Sequence, residues 1–453
     1  MATAVLDIRG TVLRPGDGDY EEARRVYNGM IDRRPALIAR CADAADVMAA
    51  VNFAREGGLA LAVRGGGHSG PGLGTVDGGL VIDLAPLNGV RVDPESRTAR
   101  VGGGSTLGDI DHATHAFGLA TPSGIISTTG VGGITLGGGM GSLTRKYGLA
   151  IDNLLEADVV LADGSFVTAS DKSNPDLFWA LRGGGGNFGV VTSFLLRLHP
   201  ISTVYGGPML WDLDRADEAM RFWRDTLEAA DDDLSGFFAF LKVPPGPPFP
   251  EPLHLRTMCG VVWCYTGDLE KAEEVFRPVR EFGPPALDLV GALPVPALQS
   301  MFDALYPRGL QWYWRADFVQ ELSDEAIAQH VEHGSRVPNF QSTMHLYAID
   351  GAASRVGKND TAWSYRDAKY AQTIVGVDAD PANNDRNIAW VKDYWEALHP
   401  FSAGGAYVNM MMDEGQERVM ASYRDNYARL VEVKNRYDPH NLFHLNQNIR
   451  PTA

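Results

Sequence analysis

Residues 63–74, which read V-R-G-G-G-H-S-G-P-G-L-G, constrain what this chain can fold into more than any other stretch. An apolar run at residues 59–63 predicts a short strand, which leads into three glycines, a histidine and further glycines. Glycine accepts positive φ and lets other groups approach the backbone closely, so such a loop can surround a pyrophosphate with its own N–H groups. His68 lies in the middle of the loop, where a ligand would lie. A plain turn is the alternative interpretation.

The same loop also fits a better-known pattern that has to be tested. Gly65, Gly67 and Gly70 match G-x-G-x-x-G, the dinucleotide fingerprint of the doubly wound fold. That fingerprint requires a helix to begin at the loop, and Pro71 with the glycines after it prevents one. The nicotinamide interpretation is therefore excluded. A second glycine-rich segment, residues 123–141, favours ligand binding by both loops over a plain turn.

Length, composition and charge limit the class of protein. The chain has 453 residues, enough for two or three domains, and its 45% hydrophobic content is typical of a folded protein. A net charge of −17 argues against nucleic acid or an anionic membrane as a partner. The sequence shows no basic flank followed by an apolar run and no stretch of membrane-spanning length. We expect a cytoplasmic monomer or homodimer with no membrane or nucleic-acid partner.

Cysteine and histidine spacings do not indicate a metal site. Cys41, Cys259 and Cys264 are too few and too scattered for a disulfide framework, so we expect buried free thiols. Two histidine pairs lie three residues apart among acids on predicted helices, and we expect them on solvated helix faces: His112 with His115, and His330 with His333.

The sequence predicts an α+β fold in three parts: residues 1–203, residues 204–402 and residues 403–453. In the first part, short strands and glycine loops alternate with helices, one of them capped by Asp43 and another by Ser105. The second part is richer in aromatics, and its strand-like runs alternate with helices, which suits an antiparallel sheet covered by helices. Trp312 and Trp314 share one face of a predicted strand and can line a pocket. The strand-like runs are residues 236–243, 258–265, 310–318 and 343–349.

The third part returns to the character of the first and carries two pairs of polar side chains. If both segments are strands, Tyr407 and Asn409 point the same way, as do Asn446 and Asn448. Buried amides need hydrogen-bonding partners, and the edge of a heterocycle would provide them. A surface turn is the alternative. A helix is predicted to end near Tyr437.

Together these segments resemble a known family, the berberine-bridge-enzyme-like flavin oxidases, within the vanillyl-alcohol-oxidase or PCMH type of FAD-binding fold. The resemblance covers most of residues 1–200 and the last fifty. It implies a two-subdomain FAD-binding domain joined to a substrate domain. The motifs that carry it are R-P-A-L-I-A-R, R-G-G-G-H-S-G-P-G, G-G-I-T-L-G-G-G-M-G, R-K-Y-G-L-A-I-D-N, D-L-F-W-A-L-R-G-G-G-G-N-F-G-V-V-T, Y-V-N and D-P-H-N-L-F-H.

The resemblance also implies the cofactor and how it is held. FAD would lie extended between the two subdomains, with its pyrophosphate on backbone amides of both glycine loops and its 8α carbon bonded to His68. Many relatives form a second bond through a cysteine in G-x-C-P-T-V-G-V-G-G, where this chain has Ile126, so a single link is expected. The cofactor-binding residues implied in this way are Arg64, Gly65, Gly66, Gly67, His68, Ser69, Gly70, Ser127, Thr128, Thr129, Gly132, Gly133, Thr135, Gly138, Gly189, Val190, Val191, Tyr407, Asn409, Asn446 and Asn448.

The activity that the resemblance implies is transfer of a hydride from a small organic alcohol, of secondary-metabolite or sugar type, to FAD. Molecular oxygen would be the acceptor, and Thr129 borders the space through which it approaches. Tyr407 would be the catalytic base, with Tyr347 as a second candidate beside His345 on the same strand face. The alternatives are C–N oxidation of a cyclic amine, a flavin dehydrogenase that does not use oxygen, and a flavin-carrying binding protein without turnover.

Overall fold

The structure is a computed structural model and describes residues 5–452. Within this part of the chain the strands form three sheets, which combine helices with mostly antiparallel strand pairs and confirm the predicted α+β class. The first two sheets use residues up to Arg197, and every strand of the third lies between Thr203 and Asp378. No helix in residues 5–452 combines the length and the apolar character needed to cross a lipid bilayer.

The first sheet delivers the glycine loop of residues 65–74. Its strands pair in the order β1-β2-β4-β3, with β3 and β4 parallel, so the loop leaves the carboxyl end of β3 beside the end of β4. Asp43 caps the helix α2 as predicted, because its side chain accepts the N–H of Asp46 at 3.0 Å. The elements are β1 (Thr11–Leu13), α1 (Tyr20–Ala23), β2 (Leu37–Arg40), α2 (Ala44–Gly57), β3 (Leu61–Arg64) and β4 (Leu80–Asp83).

The second sheet is antiparallel throughout, in the order β5-β6-β9-β7-β8. The cap of its first helix, α3, is Thr106 and not the predicted Ser105. Thr106 Oγ1 accepts the N–H of Asp109 while the Asp109 carboxylate accepts the N–H of Thr106, a reciprocal capping box. The elements are β5 (Val90–Asp93), β6 (Thr98–Gly102), α3 (Leu107–His115), α4 (Val131–Gly137), α5 (Thr144–Tyr147), β7 (Leu154–Val160), β8 (Phe166–Ser170), α6 (Pro175–Leu181) and β9 (Val190–Arg197).

The third sheet is the predicted antiparallel sheet with helices, and it contains strands that the sequence pattern did not reveal. Its order is β13-β10-β12-β11-β16-β17-β15, and β14 pairs with β10. Strands β10 and β17 were not predicted. The elements are β10 (Thr203–Asp212), α7 (Ala216–Ala229), β11 (Leu234–Lys242), β12 (Thr257–Tyr265), α8 (Ala272–Glu281), β13 (Leu287–Asp288), β14 (Gly291–Pro294), α9 (Val295–Gln299), β15 (Gln311–Val319), α10 (Asp324–Gly334), β16 (Thr343–Ala348), β17 (Tyr370–Asp378) and α11 (Asn384–Leu398).

The two faces of the third sheet have different partners because side chains alternate along each strand. On β11, Phe238 and Phe240 pack with residues of α7, α10 and α11, such as Trp223, in the core under the helices. Phe237 and Ala239, on the other face, pack in a separate core that includes Tyr407. The second face therefore turns toward the glycine loops and forms one wall of the site described below.

The C-terminal segment forms two helices, α12 (Gln416–Tyr423) and α13 (Asn426–Tyr437), where one was predicted. Arg424 between them has a positive φ of 46°, which an α-helix cannot accommodate. Lys434 fixes α13 to the rest of the segment. Its fully buried ammonium donates to Asp438 Oδ2 at 2.6 Å, to the carbonyl of Asn187 at 2.8 Å and to that of Phe443 at 3.0 Å.

Two of the side-chain predictions have clear outcomes. The prediction of buried free thiols is confirmed, and burial raises the pKa of Cys41, Cys259 and Cys264 to about 12. The prediction of a solvated face is wrong for His330, which is 1% exposed, with Nδ1 3.0 Å from the Tyr394 hydroxyl. The acidic neighbours in the sequence lie on the opposite face of α10, which is why composition alone misplaced this side chain.

Candidate active site

A cavity of about 350 Å³ lies between the glycine loops and the third sheet, a volume typical of small-molecule sites. One wall comes from residues 64–69 and a second from residues 124–140. The third sheet contributes inward side chains of β15, β16 and β17, and the C-terminal segment closes the remaining side. Those sheet residues are Trp312, Trp314, Thr343, His345, Tyr347, Thr373 and Val375, so the prediction that both tryptophans line a pocket is confirmed.

The two glycine loops touch each other through their backbones. A Cβ on Gly66 would collide with the backbone nitrogen of Gly130, and a Cβ on Gly130 would collide with that of Gly66. Gly67 has a positive φ of 74°, which side chains with a Cβ rarely adopt. These positions explain why the sequence needs glycine in both loops, which together form a wall of the cavity.

His68 is held on three sides. Its ring stacks on Tyr27 with 3.8 Å between the ring centres and 18° between the planes. Nε2 lies 3.1 Å from Thr128 Oγ1, and Nδ1 lies 3.5 Å from Thr129 Oγ1. Burial, and to a lesser degree the positive charge of Arg308, lower the pKa of His68 to about 3. The imidazole is therefore neutral near pH 7 and keeps a nitrogen lone pair.

Tyr407 lines the same cavity, and its hydroxyl oxygen accepts hydrogen bonds from two N–H donors. The N–H of Gly139 donates to the phenol oxygen at 3.0 Å, and Asn409 Nδ2 donates to it at 2.8 Å. Asn409 also donates to the carbonyl of Gly133 at 3.1 Å, which fixes the orientation of its amide. Burial raises the pKa of Tyr407 to about 12, although both donors act in the opposite direction.

The predicted strand at residues 407–409 is wrong, yet its two side chains meet. Tyr407 precedes a 3-10 turn, Val408–Met410, whose tighter rise brings Asn409 back beside the tyrosine hydroxyl. The predicted strand at residues 446–448 is also wrong, since the chain bends there. Asn446 and Gln447 line the cavity, whereas Asn448 does not.

Tyr347 and His345 form a second polar pair on the cavity wall. The prediction that they share one face of a strand is confirmed, and the Tyr347 hydroxyl lies 2.8 Å from His345 Nδ1. Burial lowers the pKa of His345 to about 3 and raises that of Tyr347 well above its usual value. Both groups are uncharged near neutral pH.

Not all of the residues expected at the cofactor line the cavity. Ser127 turns toward Asp303, the side chain of Thr128 contacts His68, and Thr135 and Val190 point into the protein core. Gly70 lies against Trp314, and Gly138 lies against Trp363 and Tyr407. The expected residues that line the cavity are Arg64, Gly65, Gly66, Gly67, His68, Ser69, Thr129, Gly132, Gly133, Gly189, Val191, Tyr407, Asn409 and Asn446, and those that do not are Gly70, Ser127, Thr128, Thr135, Gly138, Val190 and Asn448.

Several side chains around the site were missed from the sequence. Tyr27 and Asp303 lie in segments without a motif, and only folding brings them to His68 and Ser127. Tyr306 and Gln447 line the cavity and were also not predicted as site residues from the sequence. Isolated polar or aromatic residues in loops carry no periodicity, so only the three-dimensional structure could identify them.

The residues present fit the cofactor that the resemblance implies. Within the described part of the chain, the backbone N–H groups of residues 66–69 have no protein acceptor, which suits a pyrophosphate. The side-chain oxygen of Asn446 is buried without a donor at the cavity wall and can accept from a heterocycle. Arg64 is the one charged lining side chain among residues 5–452, and Asp83 neutralises it at 2.9 Å. FAD therefore fits this site.

Comparison with known proteins also indicates an FAD-binding protein. Residues 35–170 match the family model described as FAD binding domain, and residues 406–450 match the model described as berberine and berberine like. The FAD-linked oxidoreductase YgaK of Bacillus subtilis, described as uncharacterized, is 31% identical over 451 residues, which cover 98% of this chain and 97% of its own.

Two further proteins resemble this chain along nearly its whole length. (R)-6-hydroxynicotine oxidase of Paenarthrobacter nicotinovorans is 31% identical over 460 residues, 98% of each chain. The crystal structure of 6-hydroxy-D-nicotine oxidase from Arthrobacter nicotinovorans superposes with a TM-score of 0.88 at 28% identity and covers 99% of both chains. The resemblance seen in the motifs is thus confirmed, and the chain belongs to the berberine-bridge-enzyme-like family of FAD-linked oxidoreductases.

Proposed function

We propose that this oxidoreductase is an oxidase of small, uncharged organic alcohols, and that it carries FAD on a single covalent bond to His68. The observation that carries the proposal is the cavity, which brings His68 together with the two candidate bases, Tyr407 and Tyr347, and has no uncompensated charge in its described wall. When bound, FAD would supply the hydride acceptor, and oxygen would take up the electrons and be reduced to hydrogen peroxide. The residues of the chain bind the substrate, orient it and move its proton.

The protonation state of His68 supports its proposed role as the attachment point for FAD. A neutral imidazole has the free lone pair that bond formation to an electrophilic carbon requires, and the lowered pKa keeps it neutral. Ile126 lines the cavity where many relatives have a cysteine, and none of Cys41, Cys259 and Cys264 lines it. A second link through sulfur therefore has no candidate in the described wall.

Tyr407 is the proposed catalytic base for the substrate hydroxyl. Its phenol oxygen accepts two hydrogen bonds, and no protein acceptor for its own proton lies among the described residues. That proton is free to exchange with a substrate O–H in the cavity. The two N–H donors stabilise the phenolate, as hydrogen bonds to a charged form do, and offset part of the cost of burial.

Tyr347 is the second candidate for the base. Its hydroxyl lies 2.8 Å from the neutral His345, which can take up or return its proton. In contrast to Tyr407, no pair of N–H donors that could stabilise a phenolate lies at its hydroxyl among residues 5–452. The donor pattern therefore favours Tyr407.

The charge of the wall supports a neutral substrate. A carboxylate or an ammonium group would lose its hydration without gaining an ion pair, which costs several kcal/mol. Aromatic rings of Tyr306, Trp312 and Trp314 suit an apolar or planar skeleton. A relative 29% identical over 467 residues is named xylooligosaccharide oxidase, which is compatible with an alcohol substrate.

C–N oxidation of a cyclic amine is the second candidate function. The similarity to (R)-6-hydroxynicotine oxidase favours it, and the faces of Trp312 and Trp314 can hold a cation by cation–π attraction. An amine would nevertheless have to enter this cavity without a carboxylate partner in the described wall. The neutral form of an amine is compatible with that wall.

The test is a screen of matched substrates with the purified protein. Aryl alcohols and sugars that differ only in a neutral, cationic or anionic substituent are mixed anaerobically with the enzyme, and the absorbance of oxidised flavin is followed. We expect bleaching by the neutral alcohols and peroxide release once air is admitted. Faster bleaching by cyclic amines than by any alcohol would contradict the proposal in favour of C–N oxidation. Absence of bleaching by every compound would contradict the proposal and favour a flavin-carrying binding protein without turnover.

A further inference from the structure

The loop of residues 300–309, which joins α9 to β15 and is called the attachment loop here, reaches from the third sheet to the glycine loops. It forms hydrogen bonds there with three residues near His68: Tyr27, Gly66 and Ser127. Asp303 accepts hydrogen bonds from Ser127, the carbonyl of Tyr306 accepts one from Tyr27, and Arg308 donates to the carbonyl of Gly66. One loop thus bonds to Tyr27, which stacks on the imidazole, and to Ser127, which precedes the two threonines that contact the ring nitrogens.

Asp303 fixes the segment that holds both ring nitrogens of His68. The N–H of Ser127 donates to Asp303 Oδ1 at 3.0 Å, and Ser127 Oγ donates to Oδ2. The next two residues, Thr128 and Thr129, place their hydroxyl groups at Nε2 and Nδ1 of His68. A carboxylate that receives two hydrogen bonds from one residue restricts that residue, and Ser127 is followed directly in the chain by the two threonines.

Tyr27 fixes the face of the imidazole ring. Its hydroxyl donates to the carbonyl of Tyr306 at 2.6 Å, and its backbone N–H donates to the carbonyl of Gly67 at 3.0 Å. The N–H of Gly309, the last residue of the attachment loop, donates to the carbonyl of Tyr27 at 3.0 Å. The tyrosine ring is therefore anchored at both ends while it stacks on His68.

We propose that the attachment loop is the device that orients His68 for bonding to the cofactor, and that Asp303 and Tyr27 are positioning residues for this bond. The inference rests on the proposed attachment at His68. It adds that attachment depends on the third sheet being folded against the glycine loops, because the loop belongs to that sheet. Binding of the cofactor, by contrast, uses backbone N–H groups of residues 66–69, which the attachment loop does not supply.

The step balances without any further reactant. A ring nitrogen of His68 gives its lone pair to the new C–N bond, and the imidazole and the 8α carbon each lose one proton to solvent. The electron pair of the broken C–H bond reduces oxygen to hydrogen peroxide, and oxygen is the acceptor already named in the proposed function. The geometry of His68 limits the rate because bond formation needs the lone pair aimed at one carbon.

The test measures attachment without using catalysis. Full-length protein from cells starved of riboflavin is mixed with FAD in air, and samples are denatured at intervals. The flavin fluorescence that remains with the denatured chain gives the covalent fraction, and gel filtration before denaturation gives the total bound FAD. For Asp303→Ala we expect attachment slowed at least about tenfold, with total bound FAD unchanged.

Other variants separate positioning from folding. Asp303→Asn keeps an accepting oxygen and should retain most of the rate, whereas Ser127→Ala loses one of the two bonds and should lie in between. Tyr27→Leu removes the stack and should slow attachment, and Tyr27→Phe keeps the ring and should slow it less. Ala304→Ser, an exposed change on the same loop, should attach at the wild-type rate.

The outcomes are distinguishable. Attachment at the wild-type rate in Asp303→Ala and Tyr27→Leu would overturn the inference, and so would a parallel loss of total bound FAD, which would mean a purely structural role. If the wild-type protein binds FAD and never attaches it, the proposed function fails at His68 itself. Should Asp303→Ala not fold, Ser127→Ala and Tyr27→Phe decide the matter on their own.

Discussion

At the level of single residues, the hydroxyl group of Tyr407 accepts two hydrogen bonds and donates none within the described part of the chain. A buried phenol in this arrangement can exchange its proton with a substrate, although burial holds that proton more tightly than in free tyrosine. The pKa of about 12 means that only a small fraction is ionised near pH 7. This property leads to the first prediction.

Tyr407→Phe should keep its flavin but reduce it with substrate at least about a hundredfold more slowly, as expected when a general base is lost. In the wild type, the rate should rise with pH by about tenfold per unit from pH 6 to pH 10, because the base form increases below the pKa. The variant should be flat over that range. Anaerobic stopped-flow absorbance measures both rates.

Tyr347→Phe is the matched control for this experiment. It removes the hydroxyl group of the second candidate base and should leave both the rate and its pH dependence close to wild type. If Tyr347→Phe removes the pH dependence and Tyr407→Phe does not, the base is Tyr347.

The second prediction concerns Thr129 and the rate at which oxygen reoxidises the reduced flavin. Its side chain lines the cavity and is small, and under the proposed function it would leave open the space through which oxygen approaches. Thr129→Leu should reoxidise in air-saturated buffer at least about tenfold more slowly than wild type, because the added methyl groups fill that space. Thr129→Val, which has nearly the same shape, should behave like wild type. A wild-type protein that reoxidises over minutes in air and quickly with a quinone would be a dehydrogenase.

At the level of elements, α3 carries a buried carboxyl group that the proposed reaction does not use. Asp111 is 6% exposed, and its Oδ2 has no hydrogen-bond partner among the described residues. Burial and the charge of Asp303 raise its pKa to about 7. The carboxyl is therefore protonated in the folded protein over a range where an unfolded chain would ionise it.

Asp111→Asn should stabilise the protein above pH 7. The pKa of Asp111 is higher in the folded protein than in the unfolded chain, so its protonated carboxyl group contributes to the free energy of unfolding. That contribution is complete below about pH 4 and is lost as the pH rises to about 7. Each pKa unit corresponds to about 1.4 kcal/mol, so the gain at pH 8 is on the order of 1 to 4 kcal/mol. Denaturant unfolding at pH 5 and pH 8 measures it. Glu95→Gln, on an exposed turn, is the control, and an equal effect of Asp111→Asn at both pH values would contradict the argument.

The sequence predicts elements well where local chemistry determines them and poorly where long-range packing does. Asp43 marks the start of α2 because its side chain caps the helix. The alternation of side chains along β16 places His345 and Tyr347 on one face. Strand β17, which lies between β16 and β15 in the third sheet, was missed because its residues are buried on both faces and show no alternation. The segment at Tyr407 was assigned as a strand because a 3-10 turn of three residues leaves no signal in the sequence.

At the level of the whole molecule, the site is assembled from parts that are far apart in the sequence. Tyr27 and Tyr306 are hydrogen-bonded across 279 residues, and Tyr407 reaches Gly139 across 268. The motifs predicted which segments would face the cofactor but not which loop of the third sheet would secure them. That information is carried by shape and packing, so Asp303 and Tyr27 could be identified only from the fold.

The central claim is that this assembly holds FAD by one bond to His68, and peptide mapping tests it most directly. The purified wild-type protein is denatured and digested, and each peptide is examined for the added mass of flavin. We predict flavin on the peptide that contains His68 and on no other, and in His68→Ala we predict no flavin on any peptide. Flavin released entirely on denaturation of the wild type, or found on a peptide with Cys41, Cys259 or Cys264, would contradict the account.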